Sequence, residues 1–246
     1  MDLKLYGLKA VVTGGSSGIG AAIVRVLAEE GCDVAFCARG QAGIDKALAA
    51  YVGRAGLAGK VQGRALDVTD TAQLQQWLTE LGGFDIFIPN VSALSGDWDA
   101  AIATDLRATV AATEAALPFM AASSCAAITY IGSKAGSLAA PNSAAYGAIK
   151  AALAHYMKSL ALRVLPAIRV NTVSPGDTLV IDGFWDKVRA EDPASYLRVQ
   201  QRNPLGRLAS AEEIARVVAF VSSPAASFVA GANWYVDGGS VAHVQI

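Results

Sequence analysis

The chain has 246 residues, of which 53% are hydrophobic and 17% charged, a composition that indicates a globular protein rather than a disordered one. Twenty Lys and Arg residues stand against 21 Asp and Glu residues, a formal net charge of -1 with no basic run, so no nucleic-acid partner is predicted. No stretch approaches the roughly 18 uninterrupted apolar residues that span a bilayer, and the first residues lack a secretory signal, so we predict a cytoplasmic protein without a membrane partner.

Short apolar runs alternate with longer helical patterns along the chain, which is typical of a parallel sheet covered by helices on both faces. The predicted strands are 8–13, 33–37, 61–65, 84–89, 126–131, 168–173 and 233–236. The predicted helices are 19–30, 44–51, 71–81, 98–121, 144–165 and 211–221, the last beginning with a capping-box pattern from Ser210 to Glu213. No repeat or linker divides the chain, so we predict one doubly wound α/β domain over residues 1–246, with a seven-stranded parallel sheet.

One stretch, 175–209, is longer than an ordinary connector and is expected to be irregular. It carries Pro175, Pro193, Pro204, Trp185 and Tyr196. Loops of this length are commonly lids or binding loops, so residues 177–209 are predicted to form a substrate-binding region. The alternative is a surface insertion with a small helix.

A glycine-rich turn follows the first predicted strand and opens the first predicted helix. Glycines let the backbone approach a pyrophosphate, and the amides and dipole of a helix N-terminus attract its charge. No Gly-Lys-Ser/Thr ending follows, so a nucleotide-hydrolysing phosphate loop is disfavoured. A turn that serves only strand-to-helix packing is the alternative. The residues predicted to hold a dinucleotide are Thr13, Gly14, Ser16, Ser17, Gly18, Ile19 and Gly20.

The end of the second predicted strand bears on the choice of cofactor. An acidic residue about 20 positions beyond the glycines would bind the ribose hydroxyls of NAD, but Ala38 occupies this place and Arg39 follows it. A guanidinium fits a phosphate, so NADP is favoured and NAD is the alternative. Arg39 lying over the adenine as a cation would leave NAD possible.

Tyr146 and Lys150 are four residues apart in a predicted helix, so their side chains lie on one face. A phenol titrates near pH ~10, and its use near neutrality requires a pKa lower by about three units. A nearby ammonium supplies part of that change because it favours the phenolate. Taken alone, the pair is also compatible with ordinary neighbours on a helix surface. Three cysteines without a C-x-x-C pair and two distant histidines predict no metal site.

The spacing T-G-x-x-x-G-x-G, together with Tyr146 and Lys150, resembles the short-chain dehydrogenase/reductase family, whose members have a Rossmann fold. The resemblance extends through nearly the whole chain. It implies a catalytic set of Ser133, Tyr146 and Lys150, with Ser133 bound to the substrate oxygen and Tyr146 exchanging its proton. Lys150 would tune Tyr146 and hold the nicotinamide ribose. A serine that only caps a turn is the alternative for Ser133.

Further site residues follow from the same resemblance. Asp105 stands seven residues after Trp98, where many relatives have an asparagine that supports a water chain to the lysine; an acid that caps or faces solvent is the alternative. The cofactor-binding residues implied by the remaining motifs are Asp67, Val68, Asn90, Pro175, Gly176 and Thr178, beside Arg39, Tyr146 and Lys150. Asn90 lies in Pro-Asn-Val-Ser, where the family has N-N-A-G, and the usual threonine two positions after Thr178 is Val180.

The resemblance therefore implies an enzyme that interconverts a secondary alcohol and a ketone by hydride transfer with a nicotinamide cofactor, and NADPH-dependent carbonyl reduction is favoured. An NAD-dependent alcohol, hydroxysteroid or dihydrodiol dehydrogenase is one alternative, and a non-catalytic dinucleotide sensor is another. The substrate would be a small molecule bound by segments 92–94, 135–142 and 179–185. The resemblance also implies a homotetramer.

Overall fold

The computed structural model describes residues 1–52 and 56–244 and places a parallel sheet at the centre of the chain. Seven strands form it, in the spatial order β3-β2-β1-β4-β5-β6-β9, and each neighbouring pair is parallel. Two short strands, β7 and β8, pair separately. The strand bounds are β1 Lys9–Thr13, β2 Asp33–Ala38, β3 Val61–Ala65, β4 Ile86–Ile88, β5 Ala127–Ile131, β6 Arg169–Pro175, β7 Thr178–Leu179, β8 Ala209–Ser210 and β9 Asn233–Val236.

Helices connect the strands and cover both faces of the sheet. One buried cluster joins α3, α5 and α6 to the sheet, and the other joins α1 and α9 to its opposite face. Among the described residues, no helix combines the length and hydrophobicity that crossing a bilayer requires. The helix bounds are α1 Gly18–Glu29, α2 Gln41–Ala49, α3 Thr71–Leu81, α4 Trp98–Ala100, a π-helical segment Ala101–Arg107, α5 Ala108–Met120, α6 Ala144–Val164, α7 Phe184–Glu191, α8 Pro193–Arg202 and α9 Ala211–Ser222.

The order of the strands fixes where a ligand can bind. The chain moves outward from β1 through β2 to β3, then returns to the other side of β1 as β4. In an open parallel sheet, the crevice outside the carboxyl ends of the strands at such a reversal is the usual ligand site. Gly14 follows β1 and Asn90 lies just beyond β4, so two of the predicted cofactor-binding residues lie at this crevice.

The predicted fold is confirmed: the chain forms a doubly wound domain with a seven-stranded parallel sheet. The predicted strands all lie in that sheet, and the capping box of Ser210 and Glu213 is present at the start of α9. The predicted helix 98–121 is not α-helical throughout, because Ala101–Arg107 adopts π-helical geometry between α4 and α5. Insertions of this kind are frequent at functional sites.

The expectation that 175–209 is irregular is wrong. This stretch contains α7 and α8 between the two short strands β7 and β8. The start of α8 had a recognisable signal: the Asp192 carboxylate accepts a hydrogen bond from the Ser195 amide, and Pro193 occupies the first turn, where its missing N–H costs nothing. Neither helix contains a buried residue, and both are rich in charged and polar side chains, so the stretch has the polar, proline-containing composition of a loop.

Candidate active site

The glycine turn after β1 has the geometry that only glycine fits easily. Gly14 and Gly18 have φ angles of 71° and 61°, in the left-handed region that side chains disfavour. A Cβ on Gly20 would lie 2.0 Å from the Gly14 carbonyl oxygen, so strand and helix approach too closely there for any side chain. The predicted close-packed turn is therefore present.

Asn90 holds the glycine turn in place. Its backbone N–H donates a hydrogen bond to Thr13 Oγ1 at 3.0 Å. Its side-chain Nδ2 donates to the carbonyl oxygens of Thr13 at 3.1 Å and Gly14 at 3.0 Å. These contacts cross from β4 to β1 at the carboxyl edge of the sheet. The asparagine side chain that the motif places near the nicotinamide ribose thus supports the turn.

The N-terminus of α1 suits a pyrophosphate. Ser17 is the N-cap residue, yet its side chain makes no capping hydrogen bond, and the first turn contains no acidic residue. The amides of Gly18, Ile19 and Gly20 open this 12-residue helix beside the partly buried Ser16. Backbone N–H groups and a positive dipole end without a competing carboxylate fit the diphosphate of a dinucleotide.

The predicted adenosine end lies at the carboxyl ends of β2 and β3. Arg39 directly follows β2 and is exposed. The hydrogen bonds from Thr69 lower the pKa of Asp67, and the charge of Arg39 lowers it further. Val68 is buried beside Asp67. The structure thus brings Arg39, Asp67 and Val68 to one region.

Ser133 and Tyr146 meet where β5 ends and α6 begins. Ser133 caps a 3₁₀ turn, with its Oγ accepting a hydrogen bond from the Ala135 amide at 3.1 Å. Burial is the largest influence on Tyr146 and raises its pKa, a hydrogen bond with Ser133 lowers it, and the charge of Asp105 raises it, with a net upward shift. The expected lowering of this pKa is therefore not produced by the protein residues, because desolvation outweighs the other effects.

Lys150 is the most deeply buried cation of the site, with 3% of its surface exposed. Its Nζ donates a hydrogen bond to the Ile131 carbonyl oxygen at 3.0 Å and lies 5.6 Å from the centroid of the Tyr146 ring. Burial lowers the pKa of Lys150 to about 8, although the charge of Asp105 opposes this change. The predicted pairing of Tyr146 and Lys150 on one face of α6 is present, and the alternative of a surface pair does not apply.

Asp105 lies in the π-helical segment and is 1% exposed, so the alternative of a solvent-facing acid is wrong. Its Oδ2 accepts a hydrogen bond from the Ala93 amide at 3.0 Å, which ties the helix to the loop after β4. Its charge raises the pKa of both Tyr146 and Lys150. Asp105 therefore influences the site through its negative charge, which favours the protonated forms of Tyr146 and Lys150.

The segment after β6 borders the same edge of the sheet. A Cβ on Gly176 would lie 2.7 Å from the Cα of Asp237, so glycine allows the end of β6 to pass close to the end of β9. Pro175 is buried at this exit. Thr178 donates a hydrogen bond from Oγ1 to the Gly176 carbonyl oxygen at 3.0 Å, which holds the loop in shape.

Sequence reasoning missed an ion pair at the rim of the site. Lys134 Nζ lies 2.5 Å from Asp177 Oδ2 and donates a second hydrogen bond to Ser240 Oγ at 3.4 Å. The pair connects the Ser133 turn to the loop after β6 and to the C-terminal turn. Both residues lie directly beside motif positions, Ser133 and Gly176, and that adjacency was the available signal. No sequence pattern indicated that the Tyr130 ring lies beside Lys150.

The predicted substrate segments carry exposed apolar side chains. Leu94 is 74% exposed, Ile181 83% and Phe184 67%. Phe184 packs edge-on against Trp185, with ring centroids 4.9 Å apart. Apolar side chains are therefore accessible on two of the three segments, and Leu138, 38% exposed, adds one on the third.

Known proteins resemble this chain along nearly its whole length. A family model described as enoyl-(acyl carrier protein) reductase matches residues 14–241. The chain is 36% identical to cis-4-hydroxycyclohexanecarboxylate dehydrogenase of Sinomonas cyclohexanicum, covering 95% of this chain and 96% of that protein. It is 32% identical to dehydrogenase/reductase SDR family member 4 of Bos taurus, with 96% and 88% covered. L-sorbose reductase from Gluconobacter frateurii, solved with NADPH and L-sorbose, superposes with a TM-score of 0.88 at 28% identity, covering 99% of this chain and all of that one.

Proposed function

The chain belongs to the short-chain dehydrogenase/reductase family of nicotinamide-dependent oxidoreductases, which act on alcohols and ketones, and we propose that it reduces a ketone with NADPH by means of Ser133, Tyr146 and Lys150. One observation carries this proposal. Tyr146 is partly buried, its pKa is lowered by the nearby Ser133 side chain although burial raises it overall, and the buried Lys150 ammonium lies 5.6 Å from the centroid of its ring. A proton donor, an oxygen-binding hydroxyl and a cation thus share one crevice.

The direction of the Tyr146 shift favours reduction. A phenol whose pKa is raised stays protonated near neutral pH, so it is ready to donate a proton to a carbonyl oxygen. Ser133 orients that oxygen by a hydrogen bond. The Lys150 ammonium stabilises the phenolate that remains after the proton leaves, since an opposite charge nearby favours the ionised form.

The residues that would hold the cofactor form a continuous path along the carboxyl edge of the sheet. The N-terminus of α1 would bind the pyrophosphate, Asp67 and Val68 the adenine, and Lys150 the nicotinamide ribose. Pro175, Gly176 and Thr178 would border the nicotinamide. When bound, the cofactor supplies the hydride, and the protein supplies orientation and charge.

NADP is the proposed cofactor because Arg39 is exposed directly after β2, where Ala38 ends the strand in place of an acidic residue that would repel a phosphate. The likeness to L-sorbose reductase, which was solved with NADPH, supports the same choice. Asp67 is the feature that favours NAD instead, since its negative charge, which interacts with that of Arg39, would compete with a phosphate for the guanidinium.

Asp105 is proposed to assist catalysis by holding Lys150 charged. A neutral asparagine would not raise the pKa of a lysine, whereas the carboxylate does so here. The same charge raises the pKa of Tyr146, which keeps the phenol protonated as a donor. Both effects suit carbonyl reduction.

The substrate is proposed to be a small, moderately apolar ketone or alcohol held by segments 92–94, 135–142 and 179–185, with residues 177–209 as the substrate-binding region. The exposed Leu94, Ile181 and Phe184 support this proposal, because apolar groups at the rim of a pocket favour an apolar ligand. A cytoplasmic location and a homotetramer stay predictions, to be tested by cell fractionation and by mass measurement in solution.

The reaction is tested by incubating the protein with a panel of cyclic and open-chain ketones and NADPH deuterated at C4 of the nicotinamide. We expect deuterium at the carbinol carbon of at least one product alcohol. Cofactor binding without deuterium transfer to any ketone, and without oxidation of any alcohol, would favour a dinucleotide sensor. Absence of cofactor binding would overturn the proposal.

A further inference from the structure

A second tyrosine lies against the catalytic lysine. Lys150 Nζ is 5.0 Å from the centroid of the Tyr130 ring, closer than its 5.6 Å to the Tyr146 ring. Tyr130 is on β5 and fully buried, in the cluster that packs the sheet against α5 and α6. The ammonium therefore lies near two aromatic rings, one from the sheet and one from its own helix.

The remaining partners of Lys150 are few. An ammonium has three N–H donors, and among the residues that the structure describes one hydrogen bond is formed, to the Ile131 carbonyl oxygen. Asp105 acts on Lys150 by its charge, but its Oδ2 accepts from the Ala93 amide. A buried cation with one acceptor needs other stabilisation, and the negative face of an aromatic ring provides it.

We propose that Tyr130 is a positioning residue whose ring face holds the Lys150 ammonium in place and helps to keep it charged. Burial raises the pKa of Tyr130 well above its usual range, so its ring remains that of a neutral phenol. In the described part of the chain, the Tyr130 hydroxyl has no hydrogen-bond partner, so the ring rather than the hydroxyl makes the contact that matters.

The inference rests on the proposed catalytic role of Lys150 and adds to it a positioning role for Tyr130. The titratable groups that face Lys150 are Asp105 from the π-helical segment, Tyr130 from β5 and Tyr146 from α6. Of these, Tyr130 is the one for which no role follows from the sequence motifs. Reducing the negative charge on the ring face of Tyr130 should lower the fraction of Lys150 that is protonated. Proton donation by Tyr146 should then be slower.

The test replaces Tyr130 by phenylalanine and then by mono-, di- and trifluorinated phenylalanine, which keep the shape of the ring while weakening its negative face. The Lys150 titration is followed by NMR of ¹³Cε-labelled lysine in the cofactor-free protein, with its signal assigned from Lys150→Met. Ketone reduction is measured on the same proteins. Phe87→Leu is the packing control, because it replaces a buried ring of the same core cluster by a smaller aliphatic side chain.

We expect Tyr130→Phe to stay within about threefold of wild-type kcat/KM, and the fluorinated series to lower the Lys150 pKa progressively by about one unit. The kcat for reduction should fall in the same order, while Phe87→Leu leaves the Lys150 titration unchanged. A Lys150 pKa that stays constant across the series would overturn the inference. If the wild-type protein transfers no hydride but the Lys150 pKa still falls across the series, the proposed function fails and the positioning contact stands.

Discussion

Two lysines, sixteen residues apart in the sequence, lie at the candidate site in opposite environments, one in an ion pair and the other buried. Lys134 at the rim is partly exposed and pairs with Asp177 at 2.5 Å. Lys150 on α6 is buried, donates a hydrogen bond to a carbonyl oxygen and lies near two aromatic rings, and burial lowers its pKa to about 8. The first charge is neutralised in a contact that joins loops. The second charge is not paired in this way and lies beside the Tyr146 phenol, as the proposed catalytic role of Tyr146 requires.

The largest expected effect separates the two lysines directly. Lys150→Met should lower kcat for ketone reduction by about 10²–10⁴-fold, the range associated with loss of acid-base assistance. Lys134→Met removes a partly exposed ion pair and should lower kcat by about fivefold or less. Steady-state kinetics with NADPH measures both. Equal losses in the two variants would show that burial does not distinguish their roles.

The next effect concerns stability against pH. The folded-state pKa of Lys150 is about 8, below the unfolded value of about 10.4, so the unfolded state binds more protons between these values. Wild-type stability should therefore rise relative to Lys150→Met as pH increases through this window, by about 3 kcal/mol in all. Urea unfolding of both proteins at pH 7 and pH 10.5 measures the difference. If the difference in unfolding free energy between wild type and Lys150→Met does not change with pH, Lys150 is not a charged, desolvated group.

A third cation, Arg39, extends the comparison to an exposed site. Arg39→Ala should lower kcat/KM for NADPH by about tenfold and change that for NADH little, since one charge-assisted phosphate contact is lost. Arg216→Ala, at an exposed position on α9, is the matched control. An unchanged ratio of the two cofactors in Arg39→Ala would remove this residue from phosphate recognition.

The smallest expected effect is that of Asp105→Asn. The change keeps the shape of the side chain and removes the charge that raises the pKa of Lys150 and Tyr146. Turnover should be retained within about threefold, with both pKa values of the kcat pH profile moved to lower pH. Loss of activity comparable with that of Lys150→Met would instead make Asp105 a direct participant in proton transfer.

The sequence predicted those parts of the site whose chemistry is encoded locally. The glycine turn and the Tyr146–Lys150 spacing are set by backbone geometry within a few residues, and both are present. The ring of Tyr130 beside Lys150 depends on how β5 and α6 pack, which no local pattern encodes. The same is true of Lys134 and Asp177, which are 43 residues apart in the chain.

Two failures of prediction have different causes. The π-helical segment around Asp105 keeps helical periodicity in sequence, so the change in hydrogen bonding is not visible in the pattern. The helices α7 and α8 contain no buried residue and are rich in charged and polar side chains, so their composition resembles that of a loop with prolines. Asp192 and Pro193 nevertheless mark the start of α8, since an aspartate cap followed by proline in the first turn is typical of a helix N-terminus.

The most direct test of the central claim is single-turnover reduction by Tyr146→Phe, with NADPH binding measured on the same protein. Tyr156→Phe is the control, since Tyr156 lies on the same helix and donates its hydroxyl to Glu114. If Tyr146 is the proton donor, cofactor affinity should stay within about threefold while the rate falls by about 10³-fold, and Tyr156→Phe should react like the wild type. A Tyr146→Phe rate within about tenfold of wild type would contradict the proposed role of this phenol.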